Sequence, residues 1–550
     1  MAVYLGLDLS TQSLTAVAIE VSGRERRVAF EESLDFDGTL PQYGTRHGVL
    51  PRTDPLVATS SPLMWAEALD RMMQMVARDS SIALADIQAL SGSGQQHGSV
   101  YLNASATPVL ASLDAGRPLE EQLRGVYARA ESPIWMDSST AAECEEITRA
   151  LGGPERLAKL TGSRAFERFT GPQIRRFFKR DPAGYANTAR IHLVSSYAAS
   201  LLAGHHAPIE PGDGSGMNLM DLAARRWAGE ALAATAPGLE AKLPPITPSW
   251  TVVGLLATYW RARHGFPAAK VVAWSGDNPC SLVGTGIVRE GRIAVSLGTS
   301  DTLFALVPRA CYDPSGTGHV FGSPTGGYMP LICCKNGSLA RERIRDEHGL
   351  DWQSFARALG ERPAGNGGAI LLPWFEPEIT PTVLEAGPRR YGLDPADAAA
   401  NVRAVVEAQM LSLAIHSEWM GVTVDQIHAT GGASQNPAIL QVMADVFGAD
   451  VCVVGGGNAA ALGAALRAYH ADELARGHEM LWPEVVAGFT EPWPASTVRP
   501  IPEHVAVYAE MRKVYAACEA HALDRGPDPA PVIAAFRERG RQVQGTVERP

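Results

Sequence analysis

The stretch that decides the fold is residues 270–304, KVVAWSGDNPCSLVGTGIVREGRIAVSLGTSDTLF. Its first apolar run, Val271–Trp274, predicts a buried strand. Turn formers follow and place the Asp277 carboxylate just past the strand end, where ligands of open α/β sheets bind. A second apolar strand ends in a glycine turn with hydroxyl side chains, and a third strand covers Leu303–Val307. Such a turn directs N–H and hydroxyl donors at phosphate oxygens, so the stretch predicts both a base and a phosphate site.

The N-terminus repeats the second half of this pattern. Residues 3–13, VYLGLDLSTQS, predict a strand and a hydroxyl-rich turn, and a second strand follows over Leu14–Ile19. Either hairpin alone is best interpreted as an ordinary hairpin with a polar turn, because short motifs often mislead. The pair, together with Gly276–Asn278, favours two related domains that face one nucleotide.

Length and charge narrow the class of protein. At 550 residues the chain is too long for one core, so two large domains are expected. A composition of 46% hydrophobic and 19% charged residues is that of soluble globular proteins. The net charge of −11 argues against a nucleic-acid partner, which needs a basic face. It leaves phosphorylated substrates open, because a local pocket of N–H donors suffices for them.

The lack of recognisable targeting signals in the sequence predicts a cytoplasmic protein. We find no apolar window long enough to span a bilayer, and no basic segment of a signal peptide precedes the first strand. The seven cysteines are scattered without metal-ligand spacing. The sequence therefore predicts a cytoplasmic protein with reduced thiols and no membrane partner. A homodimer is left open.

The first half of the chain offers several further elements. Residues 31–62 are polar and turn-rich and are interpreted as an insertion loop, and a helix with a 3.6-residue period follows over Trp65–Val76. The strand Ile87–Leu90 leads into Gln96 and His97, which offer polar groups at a strand end, although a lone histidine is more often structural. A helix is predicted over His192–Leu202.

The second half begins after a junction expected at Ile287–Gly291. A long helix is predicted over Ala398–Trp419. Asn436 is placed as a helix N-cap, with Pro437 in the first turn, after a Gly-Gly turn that suits a phosphate or a purine. Residues after about Arg525 lack a period and are interpreted as a mobile tail.

These pieces resemble the FGGY family of carbohydrate kinases along nearly the whole chain, and most strongly its eukaryote-like branch, whose substrate is D-xylulose. No single matching segment is specific to this family, but the number of matching segments and their order along the chain are. The matching segments are residues 95–99, QQHGS; 132–139, SPIWMDSS; 167–171, ERFTG; 276–279, GDNP; 296–304, SLGTSDTLF; and 429–434, ATGGAS.

The resemblance implies a fold and an activity. The fold would be α/β, with two actin/hexokinase-like ATPase domains (ribonuclease H-like mixed sheets with flanking helices) around a central cleft. Residues 1–287 would bind sugar, 288–525 would bind ATP, and 526–550 would form the mobile tail. The reaction would be the ATP- and Mg²⁺-dependent phosphorylation of D-xylulose to D-xylulose 5-phosphate by in-line transfer.

The resemblance also implies a role for each matched residue. Asp277 would be the catalytic base, and the ketose would contact it together with His97, Arg168, Asn278 and Gln96. Asp8 would hold Mg²⁺ through water. The residues assigned to ATP, with Trp352 against the base, are Thr11, Gln12, Gly298, Thr299, Trp352, Gly431, Gly432, Ala433 and Asn436.

The chain departs from the family pattern in places. The first turn reads Leu9–Ser13 where the family often has Gly-Thr-Ser/Thr, and Ser138–Ser139 stand where many relatives carry an arginine. Three alternatives stay open: a kinase for another ketose or polyol such as ribulose, a non-catalytic ATP-driven switch, and a sugar sensor. The switch would lack a base after the central strand, and the sensor would carry a DNA-binding helix pair, which we do not find.

Overall fold

The computed structural model describes residues 1–23, 25–455, 457–493 and 496–547, without the side chains of 540–547. The chain divides into two compact units. The first comprises Met1–Arg289, Leu306–Met329 and Gly457–Glu491; the second comprises Glu290–Ala305, Pro330–Gly456 and Pro492–Pro550.

The opening segment of the first unit ends inside the expected junction. The packing nevertheless groups two later segments, 306–329 and 457–491, with the first unit, although both lie after the predicted division at residue 288. These segments lie far along the chain from the rest of that unit, and only their packing shows where they belong.

Twenty-one strands are named in chain order. They are β1 (Ala2–Leu9), β2 (Ser13–Ser22), β3 (Glu25–Asp35), β4 (Thr59–Ser60), β5 (Ile87–Gly94), β6 (Ser99–Asn103), β7 (Ser132–Pro133), β8 (Thr188–Leu193), β9 (Met220–Asp221), β10 (Arg226–Trp227), β11 (Val252–Leu255), β12 (Lys270–Val272), β13 (Ser275–Gly276), β14 (Arg292–Leu297), β15 (Asp301–Ala305), β16 (His319–Gly322), β17 (Tyr328–Cys334), β18 (Ile370–Leu372), β19 (Arg389–Tyr391), β20 (Gln426–Thr430) and β21 (Asp450–Val453).

The α-helices are named in the same way. They are α1 (Phe36–Thr39), α2 (Pro62–Arg78), α3 (Ala106–Ala111), α4 (Leu119–Leu123), α5 (Ala141–Ala150), α6 (Pro154–Thr161), α7 (Thr170–Arg180), α8 (Pro182–Asn187), α9 (Val194–Ala203), α10 (Pro211–Gly214), α11 (Gly229–Thr235), α12 (Thr258–His264), α13 (Asp277–Gly284), α14 (Ser338–Glu347), α15 (Trp352–Glu361), α16 (Ala398–His416), α17 (Pro437–Phe447), α18 (Ala459–Ala475), α19 (Trp482–Val486), α20 (Pro502–Ala522) and α21 (Ala530–Val547).

The two units repeat one strand pattern. In the first, the order β3–β2–β1–β5–β12 has two antiparallel pairings followed by two parallel ones, and β11 extends it antiparallel to β12. In the second, β17–β15–β14–β20–β21 has the same sequence of pairings. The β1–β2 and β14–β15 hairpins occupy equivalent places, which agrees with the prediction of two related domains.

Apolar residues on both faces bury the central strand of each sheet. Every residue of β1 after Ala2 is buried, because helices cover both faces of the sheet. One of these helices is α18, which packs on β1, β5 and α13. The approach is so close that a Cβ on Gly6 would lie 2.0 Å from the Ala461 carbonyl oxygen, so only glycine fits there.

Helix α18 meets α13 through a pair of glycines. A Cβ on Gly284 would lie 1.9 Å from the Ala459 carbonyl oxygen, and one on Gly463 would lie 1.9 Å from the Cys280 carbonyl oxygen. The two helix backbones are therefore in direct contact. Since α13 begins at Asp277, this contact fixes the position of the candidate base.

Several local predictions are confirmed. Helix α2 covers the predicted Trp65–Val76, and Asn436 caps α17 by accepting hydrogen bonds from the N–H groups of Ala438 and Ile439. Two others are wrong in part: β3 extends through the start of the predicted 31–62 loop, and His192 lies in strand β8, which ends at Leu193, so the helix begins at Val194.

The prediction of a mobile tail after Arg525 is wrong over the described residues. Helix α21 covers Ala530–Val547, and Ile533 is buried in the core of the second unit with Phe536 packed against it. Arg537 donates hydrogen bonds to the carbonyl oxygens of Gly367, Gly368 and Gly392. Ile533 and Phe536 are three positions apart, which places both on one face of the helix.

No apolar segment long enough to span a bilayer was expected from the sequence, and one helix among the described residues contradicts that expectation. Ala398–Met420 has the required length and a mean hydropathy of 1.2, but 78% of that window is buried inside the protein. Val402, Val405 and Leu413 lie in the core of the second unit. A buried core helix passes the same test of length and composition, so the finding is weak evidence for a membrane segment.

We predict that Gly463→Ala destabilises the protein. The new methyl group would overlap the backbone of α13, and overpacking a tight contact costs about 1–3 kcal/mol. The measurement is the thermal unfolding midpoint, with Gly360→Ala as the control. Gly360 also lies inside a helix, but a Cβ there meets nothing within 4 Å, so alanine should leave stability unchanged or raise it. Equal midpoints for the two variants would contradict the glycine contact.

Candidate active site

The turn between β1 and β2 presents a buried carboxylate. Asp8 lies near the end of β1, just before the turn. It accepts hydrogen bonds from Ser10 Oγ at 2.6 Å, Ser93 Oγ at 2.7 Å and Asn458 Nδ2 at 3.2 Å. Burial raises the pKa of Asp8, and these three hydrogen bonds oppose that rise. Asn458 comes from the 457–491 segment, and nothing in the local sequence indicates it.

The same turn carries the other two residues assigned to the first phosphate site. Thr11 Oγ1 accepts a hydrogen bond from the indole N–H of Trp135 at 2.8 Å, and Gln12 has an exposed side chain. The 31–62 segment supports the turn from the other side, since a Cβ on Gly48 would lie 1.8 Å from the Thr11 carbonyl oxygen. This segment is therefore part of the site's framework.

Asp277 lies in a network with two other predicted residues. Its Oδ1 accepts from the backbone N–H of Asn278 at 2.8 Å, from Asn278 Nδ2 at 3.1 Å and from the backbone N–H of Gln96 at 3.3 Å. Asn278 Nδ2 also donates to Gln96 Oε1 at 3.0 Å. The structure thus brings together Asp277, Asn278 and Gln96 at the end of β5 and the start of α13.

The environment of Asp277 changes its acidity. Burial, with the negative charge of Asp8 second, raises the pKa of Asp277 from 3.8 to about 7, against the N–H donors of Asn278 and Gln96. The sequence alone gives no sign of this shift, because its causes are burial and the charge of Asp8. A pKa near neutrality makes Asp277 a stronger base than an exposed aspartate.

His97 follows Gln96 and is neutral. Burial, with the positive charge of Arg168 second, lowers the pKa of His97 to about 3. Its Nδ1 lies 2.8 Å from the Gly216 carbonyl oxygen, which can only accept, so Nδ1 carries the proton. Nε2 is then an acceptor, suited to the hydroxyl group of a ligand.

Arg168 reaches this region through an aromatic cluster. The rings of His97 and Phe169 are 4.3 Å apart, and the Arg168 guanidinium lies over Phe166 at 5.3 Å. Arg168 Nη2 donates to His319 Nε2 at 3.1 Å.

His319 is a residue of this cluster that sequence reasoning missed. Burial, followed by the Arg168 charge, holds the pKa of His319 well below its ordinary value, so the ring is neutral. Because Nε2 accepts from Arg168, Nδ1 donates to Ser163 Oγ at 3.1 Å. His319 belongs to the 306–329 segment, which the sequence placed in the other domain.

The second unit contains a separate cavity of about 650 Å³. Its walls come from the β14–β15 turn, from α14, α15 and α17, and from the short 3₁₀ segment Gly432–Gln435. The predicted ATP residues in its wall are Gly298, Thr299, Trp352, Gly432, Ala433 and Asn436.

Gly431 is not in the cavity wall. Its φ is +86°, and a Cβ there would lie 2.5 Å from the Leu297 carbonyl oxygen, so glycine is needed where β20 turns beside β14. Trp352 is 46% exposed, and the guanidinium of Arg345 lies 4.5 Å from its ring centroid. An exposed indole at a cavity wall suits a flat ring such as a purine.

The donors present in the first turn fit a hydrated magnesium ion. Mg²⁺ keeps several waters and takes one or two carboxylates, and Asp8 supplies one. No group of three or more His, Cys, Asp or Glu side chains that could hold a metal occurs among the residues that were described.

Comparison with known proteins identifies the family. The model of the FGGY family of carbohydrate kinases, N-terminal domain, matches residues 126–284, and that of the C-terminal domain matches residues 293–471. The chain is 43% identical to a xylulose kinase of Rattus norvegicus over 537 residues, covering 96% of this chain and 98% of the relative. It is 43% identical to xylulose kinase 2 of Arabidopsis thaliana, covering 85% and 87%.

Solved structures agree on the fold. A xyloylose kinase from Brucella ovis superposes with a TM-score of 0.78 at 25% identity, over 95% of this chain and 100% of that one. A ligand-bound xylulose kinase from Lactobacillus acidophilus has the same TM-score at 18% identity, which speaks for the fold alone.

The comparisons confirm the expected fold class of two mixed-sheet ATPase domains, whereas the cleft between them stays a prediction. They also confirm an enzyme of the ATP-dependent sugar kinase type, with a sugar and ATP as its small-molecule substrates. Magnesium, the cytoplasmic location and the assembly state stay predictions. The chain belongs to the FGGY family of carbohydrate kinases.

Proposed function

We propose that the protein transfers the γ-phosphoryl group of ATP to D-xylulose and forms D-xylulose 5-phosphate. The observation that carries the reaction is Asp277, a carboxylate whose pKa is raised to about 7 and which is held in place by Asn278 and Gln96. Two relatives that match nearly the whole chain and are named xylulose kinase support the substrate.

The first unit binds the sugar in this proposal. His97 Nε2 accepts a hydrogen bond from a sugar hydroxyl group, and Arg168 and Asn278 donate to sugar oxygens. Because the His97 ring is neutral, it adds no charge near Asp277. Gln96 contributes mainly by orienting Asn278, to which it is hydrogen-bonded at 3.0 Å.

The second unit binds the nucleotide in this proposal. Trp352 packs against the adenine, with Gly432, Ala433 and Asn436 along the adenosine, while Gly298 and Thr299 present donors to phosphate oxygens. The support is that these six residues share one cavity of about 650 Å³, a volume typical of nucleotide-sized ligands. Thr11 and Gln12 act on phosphate oxygens from the first unit.

Asp277 serves as the base of the transfer. The attacking sugar hydroxyl group loses its proton to the Asp277 carboxylate while its oxygen forms a bond to the γ-phosphorus, and the bond from that phosphorus to the ADP oxygen breaks. Asp8 would hold Mg²⁺ through water, and the cation would neutralise phosphate charge. A cation near Asp8 would also lower the pKa of Asp277 by offsetting the Asp8 charge.

The activity itself is the first test. In a coupled ADP-release assay with MgATP and a panel of ketopentoses and polyols, we expect D-xylulose to give the highest kcat/KM. ATP hydrolysis without sugar should be far slower. A higher kcat/KM for ribulose or a polyol would overturn the substrate, and ATP turnover that is independent of sugar would favour the ATP-driven switch.

Removing the base should separate chemistry from binding. Asp277→Asn keeps the size of the side chain but cannot take a proton, so we expect kcat to fall by roughly 10²–10⁴-fold. Sugar binding, measured by calorimetry, should persist. The matched variant is Asn278→Ala, which should weaken sugar binding and retain a larger fraction of kcat. Near-normal turnover by Asp277→Asn would place the base elsewhere.

The raised pKa of Asp277 gives a pH dependence with a defined sign. The base acts when it is deprotonated, so log(kcat/KM) for the sugar should fall with unit slope as the pH drops below about 7. Raising the concentration of free Mg²⁺ should move this limb to lower pH. The limb should be absent from the residual activity of Asp277→Asn. A limb that stays near pH 4 in the wild-type protein when free Mg²⁺ is limiting would contradict the shift.

A further inference from the structure

The β14–β15 turn of the second unit rests on a buried ion pair. Arg341 of α14 and Asp301, the first residue of β15, are each 1% exposed. Arg341 Nη1 donates to Asp301 Oδ2 at 2.9 Å, and Nη2 donates to Oδ1 at 3.1 Å. The pair is therefore bidentate, which is the strongest and most directional arrangement for these two groups.

A third side chain connects the pair to the start of α14. Arg341 Nη1 also donates to Gln409 Oε1 at 2.8 Å, and Gln409 Nε2 donates to the carbonyl oxygens of Asn336 and Gly337, both at 2.8 Å. Gln409 is itself buried. Strand β15, helix α14 and helix α16 thus share one hydrogen-bond network.

The network ends on the turn itself. The backbone N–H of Ser338 donates to the Gly298 carbonyl oxygen at 2.8 Å, and Arg341 Nη2 lies within 3.4 Å of the same oxygen. A Cβ on Gly337 would lie 2.7 Å from the Thr299 carbonyl oxygen, so the two backbones touch. The start of α14 therefore supports the turn, and Gly298 and Thr299 of the same turn form part of the cavity wall.

The charge of Arg341 is already compensated. Although Arg341 contributes to the cavity wall, both of its terminal nitrogens have protein acceptors, and Asp301 balances its charge at contact distance. A guanidinium that bound phosphate directly would need donors aimed at the ligand. The geometry favours a supporting role over direct contact.

We propose that Arg341, Asp301 and Gln409 are positioning residues that hold the turn at Gly298–Thr299 in the shape that binds the polyphosphate of the nucleotide. The inference rests on the proposed function of the cavity as the ATP site. It assigns a role to three residues for which no role was predicted from the sequence.

The test removes the pair without leaving a buried charge. Losing one partner of a buried ion pair is strongly destabilising, whereas neutral replacement of both is tolerated. We therefore choose the double variant Arg341→Met with Asp301→Asn. Its affinities for adenosine, ADP and ATP are measured by calorimetry, together with the KM values for ATP and for the sugar.

The double variant should weaken the binding only of nucleotides that carry phosphate groups. ADP and ATP affinity should fall about tenfold, the effect of one lost hydrogen bond of ordinary strength, because the turn no longer presents its donors in register. Adenosine affinity and the KM for the sugar should stay at wild-type values. An equal loss for adenosine and ADP would show a general structural defect and would overturn the inference.

The matched control is the double variant Arg403→Met with Glu407→Gln. This pair is also buried in the second unit, with Arg403 Nε 2.6 Å from Glu407 Oε1, but neither residue contributes to the cavity wall. We expect its nucleotide affinities to be unchanged. A tenfold loss of ADP affinity in the control would show that any buried pair has this effect, and would overturn the inference.

A single variant distinguishes support from direct contact. If Arg341 bound phosphate itself, Asp301→Asn would release its charge and strengthen ADP binding, whereas a positioning role predicts weaker binding. The double variant could bind ADP as tightly as the wild-type protein does, while the wild-type protein phosphorylates sugar. That result would overturn the inference and leave the proposed function standing. If the wild-type protein bound neither ADP nor ATP, the proposed function would fail first.

Discussion

The geometry around Asp277 and Gln96 depends on one buried guanidinium. Arg467 of α18 is 2% exposed, and it donates to the carbonyl oxygens of Gly92 at 3.2 Å, Ser249 at 3.1 Å and Ala273 at 2.6 Å. A buried charge is costly unless it is hydrogen-bonded, and the two terminal nitrogens of Arg467 depend on these carbonyl oxygens, so separating the strands would be unfavourable. Gly92 precedes Gln96 on β5, and Ala273 precedes Asp277. Arg467 lies 375 residues after Gly92 and 194 residues after Ala273. This one side chain therefore sets the spacing between the candidate base and its neighbours.

Local structure could be read from the sequence, but long-range packing could not. The two hairpins were predictable because apolar runs and polar turns are properties of adjacent residues, and the Asn436 cap depends on its immediate neighbours. His319 and Asn458 could not be found in this way. Each reaches the first unit from a distant segment, and their hydrogen bonds to Arg168 and Asp8 exist only after folding. The structure places Asp277 beside Asn278 and Gln96, but its shifted acidity depends on burial and on the charge of Asp8 and could not be read from the sequence.

The acidity of Asp277 shows why charge spacing matters as much as residue type. Burial and the carboxylate of Asp8 raise its pKa together, so the base becomes stronger but is partly protonated at neutral pH. In the proposed mechanism a cation held near Asp8 relieves that repulsion, and the deprotonated form of Asp277 then predominates. Sugar phosphorylation would thus be coupled to cation binding through electrostatics alone, without any movement of the chain. His97 fits this scheme because a neutral ring does not disturb the balance.

The repeated strand pattern carries opposite electrostatics in its two turns. In the first unit Asp8, near the end of β1, is a carboxylate that accepts hydrogen bonds from three neutral donors. In the second unit the equivalent turn has no charge of its own, and the acid beneath it, Asp301, is paired with Arg341. A carboxylate repels phosphate unless a cation intervenes, whereas a neutral turn can offer N–H groups directly. One topology therefore places a buried carboxylate beside one turn and an uncharged backbone at the other, and in the proposed function the first would act through a metal ion and the second through its own N–H groups.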